Sequence, residues 1–93
     1  MLTHDRIVEV VKKAAIKYPL RKAAYFGSYA DGCATKDSDL DLLVEFDVPA
    51  ISILTIINLK HYLEDELSIP VDVIHAPIPK GAIIEIGRTV GVL

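Results

Sequence analysis

The chain has 93 residues, 52% of them hydrophobic, a formal net charge of −3 and one cysteine, Cys33. This length makes a single domain, the charge argues against a broad nucleic-acid-binding face, and one cysteine excludes a disulfide framework. The opening MLTHDRIVEVVKK carries no signal-peptide pattern, and no apolar run approaches the roughly 18 residues of a membrane span, so a soluble cytoplasmic protein without membrane contact is expected.

Thr3 is placed to cap a first helix, with Asp5 in its first turn and Ile7, Val10, Val11, Ala14 and Tyr18 recurring at helical spacing. Pro19 helps to end it. Lys22 to Phe26 is a short first strand closed by Gly27-Ser28. Tyr29 to Asp31 has room for one helical turn, stopped at Gly32. A polar loop, Thr35 to Ser38, leads to a second strand over Asp39 to Phe46. From about Ala50 to Leu67 the apolar positions Ile53, Ile56, Leu59, Leu63 and Leu67 form one helical stripe. Glu64, Asp65 and Glu66 crowd its C-terminal end, where the helix dipole disfavours anions. Val71 to His75 is a third strand, Pro77 and Pro79 mark a turn, Lys80 to Ile86 a short helix, and Thr89 to Leu93 a last extended piece. The order α-β-β-α-β-α predicts an α/β (α+β) fold, a single small mixed sheet flanked by helices. The short gap between the first two strands allows an antiparallel return or a compact crossover.

Two carboxylates interrupt the second strand where apolar residues would serve it better. Side chains alternate along a strand, so Asp39 and Asp41 point the same way, with α-carbons about 6.5–7 Å apart. Leu40, Leu42 and Val44 then face the core. Asp31, Asp37, Glu45 and Asp47 add charge nearby, against the single cation Lys36. Paired carboxylates on one face repel, and a divalent cation removes the conflict. Mg²⁺ takes oxygen ligands, one or two of them carboxylates, and fills its remaining positions with water and substrate phosphates. Acidic residues at strand ends are also commonly just solvated, so Asp-x-Asp alone does not decide the matter. Gly27-Ser28 directly follows a strand: glycine allows a phosphate close to the backbone, and Ser28 can donate its hydroxyl. The same pair also suits an ordinary strand-to-helix turn. Asp72 stands alone in an apolar strand, which is costly unless it is paired, metal-bound or at a wet sheet edge.

Taken together, Phe26-Gly27-Ser28-Tyr29-Ala30, Gly32, Ser38-Asp39-Leu40-Asp41-Leu42-Leu43-Val44 and Val71-Asp72-Val73-Ile74 closely resemble the minimal nucleotidyltransferases (MNT domains) of the DNA polymerase beta-like superfamily. The resemblance spans nearly the whole chain and implies one such domain over residues 1–93. It implies that Gly27 and Ser28 hold nucleotide phosphates, that Asp39 and Asp41 hold two Mg²⁺ ions, and that Asp72 ligates one of them and helps to activate the attacking hydroxyl. The implied reaction is in-line attack on the α-phosphorus of a nucleoside triphosphate, with ATP the expected substrate and pyrophosphate released. Small MNT proteins resemble antitoxins whose partner is a HEPN toxin, and there AMP is attached to a tyrosine of the toxin. The expected partners are therefore a nucleoside triphosphate and a HEPN-type protein, with homo-oligomerisation left open. One departure from the family pattern is Asp31, where relatives often carry an arginine. An anion there favours the alternative of a weakly active or inactive MNT-fold module that neutralises its partner by contact. The apolar excess and the tail Thr89 to Leu93 suit a partner interface, or a tail packed on its own core. His4, His61 and His75 lack ligand spacing, and Cys33 has no charge partner to activate it.

Overall fold

The computed structural model describes residues 2–75 and 87–93. In chain order these form α1 (His4–Lys17), β1 (Leu20–Phe26), α2 (Ser28–Asp31), β2 (Leu40–Phe46), α3 (Ile53–Leu67), β3 (Val71–His75) and β4 (Thr89–Gly91). The turn expected at Pro77 and Pro79 and the helix expected over 80–86 lie outside the described residues.

The four strands make one mixed sheet in the order β3-β2-β1-β4. β1 runs antiparallel to β2 and to β4, and β2 runs parallel to β3. The gap between β1 and β2 is thus an antiparallel return, and α3 is the crossover that a parallel pair requires. The tail packs on its own sheet: β4 pairs with β1, Val92 donates its N–H to the Ala23 carbonyl at 2.9 Å, and Val92 is buried. Leu93 alone of that tail's apolar side chains stays exposed.

Period-two burial on β2 sets the layers. Leu40, Leu42, Val44 and Phe46 are buried, while Asp41, Leu43 and Glu45 between them are not. The buried set meets Ile7, Val10, Val11 and Ala14 of α1 and Leu59, Leu63 and Leu67 of α3 in one core, together with Ala23, Tyr25 and Val71. Each fully buried leucine contributes about 1.5–3 kcal/mol of transfer free energy, so this face supplies most of the drive to fold. α1 begins as expected, with the Thr3 hydroxyl accepting from the Arg6 N–H at 3.2 Å.

Three boundaries differ from the sequence expectation. β1 starts at Leu20 rather than Lys22, because the antiparallel return lets Leu20 pair with Phe46 across a register shift. β2 starts at Leu40, leaving Asp39 one residue outside the strand. α3 starts at Ile53 rather than near Ala50: the Ser52 hydroxyl accepts from the Leu54 N–H at 3.1 Å, which fixes Ser52 as the cap. The apolar stripe of α3 is buried only from Leu59 onward. Ile53 is 75% exposed and Leu54 63%, while Leu59, Leu63 and Leu67 are buried.

The acidic end of α3 carries its own compensation. Lys13 reaches Glu66 at 3.1 Å, Arg6 donates to the Glu66 carbonyl, and Glu64 accepts from both Lys60 and the Val71 N–H. The last of these bonds ties the end of α3 to the first residue of β3.

Candidate active site

Strand register assembles the site. Asp41 stands opposite Phe26 on one side and opposite Asp72 on the other. All three share the sheet face that α1 and α3 do not cover. Asp72 lies on an edge strand and is exposed, yet it is also the cross-strand neighbour of Asp41. The two sequence alternatives for Asp72, wet edge and paired carboxylate, are therefore both realised.

Gly27 continues β1 beyond Phe26 and takes φ +71°, a left-handed value that glycine adopts freely. A Cβ at this position would run into the Asp41 carboxylate. The Gly-Ser turn is thus seated on Asp41, and only glycine permits the approach. α2 follows as a single turn, with the Asp31 N–H donating to the Gly27 carbonyl at 3.0 Å and Gly32 ending it at φ +74°. Ser28 opens that turn, where the backbone N–H groups lack intrahelical acceptors. Asp31 closes it and is exposed.

Asp39 is positioned by the loop before it. The Thr35 N–H donates to the Ser38 hydroxyl at 2.8 Å, and the Ser38 N–H donates back to the Thr35 carbonyl at 3.0 Å. The Leu40 N–H then donates to the Pro70 carbonyl at 3.1 Å, drawing together the starts of β2 and β3. Ser38 and Glu64 make hydrogen bonds at the starts of β2 and β3 that the sequence did not single out. A short Thr-x-x-Ser reciprocal turn was visible for the first, but nothing local marked the second.

Asp41 holds its proton more tightly than an ordinary carboxyl. Burial is the main cause, followed by the charge of Asp72, the charge of Asp39 and proton sharing with Asp72. The carboxylates of β2 and β3 therefore act as one electrostatic unit. Among the described residues no three His, Cys, Asp or Glu side chains close into a metal-ligand group as they stand.

The side chains left without a role in the sequence prove structural. His4 Nδ1 lies 2.9 Å from the Tyr25 hydroxyl, and His75 packs edge-on to Phe46 with ring centroids 5.1 Å apart. His61 and Cys33 are exposed.

The sheet thus sets Asp41 and Asp72 side by side next to the Gly27-Ser28 turn. Residues 5–89 match the family described as Nucleotidyltransferase domain, and the chain belongs to that family. It is 39% identical over 94 residues to a Methanocaldococcus jannaschii chain, MJ0126, that carries the provisional name of protein adenylyltransferase; the match covers 91% of this chain and 95% of that one. A solved structure provisionally described as a minimal nucleotidyltransferase superposes with a TM-score of 0.77 at 26% identity, over 96% of this chain and 95% of its own. A tri-AMPylated Shewanella oneidensis HEPN toxin in complex with an MNT antitoxin matches in fold, with a TM-score of 0.72 at 15% identity, over 98% of this chain and 72% of that one. The chain is thus a nucleotidyltransferase with the minimal form of the fold. No described helix is long and apolar enough to cross a membrane.

Proposed function

We propose that this chain moves AMP from ATP to a hydroxyl of a partner protein, as the antitoxin of a HEPN-type toxin. The observation that carries this reading is the cross-strand row Phe26–Asp41–Asp72 with Gly27 seated on Asp41. It puts the Gly27-Ser28 turn and acidic side chains from two strands at one end of one sheet face. The adenylyltransferase name of the M. jannaschii relative supports the reaction, and the HEPN complex supports the partner.

The donor set suits Mg²⁺: the side chains are oxygen-only, and Asp41 is pushed toward its protonated form by burial and then by the charges of Asp72 and Asp39. Asp39, Asp41 and Asp72 would hold two such ions, which when bound supply charge neutralisation for the attacking and leaving oxygens. Gly27 and Ser28 hold the triphosphate, Gly27 by close backbone approach and Ser28 through its hydroxyl. The acceptor oxygen attacks the α-phosphorus, the bond to the bridging oxygen breaks, and pyrophosphate leaves. Asp72, on the edge strand and exposed, meets the acceptor and takes up its proton. Most of the rate enhancement in this scheme comes from positioning and fixed charge.

A second reading rests on Asp31. An exposed anion four residues beyond Gly27 opposes triphosphate binding and favours a module that neutralises its partner by contact. Incubation with α-labelled ATP, Mg²⁺ and the candidate HEPN partner separates the two. Label transfer that disappears in Asp39→Asn and Asp41→Asn supports the transferase. A tight complex without transfer, equally tight in both variants, supports the binder.

A further inference from the structure

The sheet face away from α1 and α3 is layered by register. Its first row holds Asp72, Asp41, Phe26 and Thr89. The next holds Ile74, Leu43, Ala24 and Gly91, and the third begins with Glu45 and Lys22. Successive rows lie about 7 Å apart. Between the second and third rows is a hollow of about 240 Å³, floored by Ala24, Leu43, Gly91 and Leu93 and rimmed by Lys22 and Glu45. Ile74 beside it is 37% exposed and Leu93 42%. A Cβ at Gly91 would meet nothing within 4 Å, so a side chain there has room to enter the hollow.

Resting on the transferase reading, we infer that this hollow docks the acceptor: it takes an apolar side chain of an extended protein segment whose hydroxyl lies at Asp41 and Asp72. The carboxylate row separates the hollow from the Gly27-Ser28 turn, so the nucleotide's phosphates and the occupant of the hollow arrive from opposite sides. The rim carries one cation, Lys22, against Glu45 and the nearby carboxylates, so it offers a nucleic-acid backbone no net positive charge, and a protein segment suits it better. An apolar floor behind a polar rim suits a Leu-sized or Ile-sized group. The hollow lies roughly 7–13 Å from the carboxylates, which is two to four residues of extended chain. The acceptor segment therefore carries its apolar residue two to four positions from the modified one.

The test uses the intact chain, Mg²⁺, α-labelled ATP and synthetic peptides. One peptide has a tyrosine among glycines and serines; the others add a leucine three residues before or after it. One leucine peptide is expected to be labelled with kcat/KM about ten-fold higher than the plain peptide. Gly91→Val fills the hollow and places a β-branched residue on a strand, so folding is kept. It is expected to erase the leucine preference while leaving nucleotide affinity unchanged. Equal labelling of all peptides, labelling of none, or a preference that survives Gly91→Val overturns the inference. The transferase reading is judged apart from it, by Mg²⁺-dependent ATP binding and the loss of that binding in Asp41→Asn.

Discussion

The two faces of β2 use alternate residues of one strand for opposite ends. Leu40, Leu42, Val44 and Phe46 lie under α1 and α3 and are buried. Asp41, Leu43 and Glu45, one step along each time, face away from the helices. Burial on the first face lets the second keep a cluster of like charges that would destabilise a smaller core. The pKa of Asp41, raised by its own burial and by Asp72 and Asp39, is the measurable sign of that strain. Folding and chemistry are thus separable by residue parity, and neighbouring substitutions should give opposite phenotypes.

The largest effect is expected from Asp41→Asn. AMP transfer should fall by about 10³-fold, the size of loss seen when a charge-stabilising group is removed from a reaction centre. The melting temperature should hold or rise. Leu42→Ala, the adjacent residue, should do the reverse, costing about 2–5 kcal/mol of stability in denaturant titration while the activity of the folded fraction persists. A loss of activity in both variants with intact folding in both would break the separation of the faces.

Gly27→Ala probes the contact between turn and carboxylate. The added methyl meets Asp41 at a backbone angle that alanine rarely adopts. A stability loss of about 1–3 kcal/mol is expected, together with weakened nucleotide binding, read by melting with and without Mg²⁺-ATP. Asp41 also predicts a pH dependence. Its folded pKa lies above its ordinary 3.8, so its penalty is absent below that value, grows as pH rises through the raised value, and is complete above it. Asp41→Asn should therefore stabilise the protein at pH 7 and be neutral near pH 3. Mg²⁺ should narrow the difference at pH 7.

Much of this arrangement was legible in the sequence because alternation and spacing are local. Leu40, Leu42 and Val44 against Asp41 announced the two faces, and Thr3 and Gly32 marked element ends. The partnership of Asp41 with Asp72 was not local: thirty-one residues separate them, and only the parallel pairing of β2 with β3 makes them neighbours. The exposed Ile53 failed for a related reason, since periodicity shows that a helix has an apolar stripe but not how much of that stripe finds a partner. The open-face hollow was invisible because β4 joins β1 across some sixty residues.

The smallest predicted effect concerns Glu64, which links the two faces. Its carboxylate is held in the charged form by a hydrogen bond from Lys60, then by the Val71 N–H, and Val71 immediately precedes Asp72. Glu64→Ala removes one acceptor from a strand N–H, for a loss of about 1 kcal/mol at pH 7 in denaturant titration. Because its folded pKa is lowered, this stabilisation is present above the ordinary 4.5 and fades as pH falls through the lowered value. The cost of the substitution should therefore shrink in acid. If Val71 is what Glu64 fixes, transfer activity should drop more than stability, because a small shift of β3 moves Asp72 directly. An activity loss no greater than the stability loss would mean that β3 is registered by β2 alone, and that the helix side of the sheet does not set the geometry of the open one.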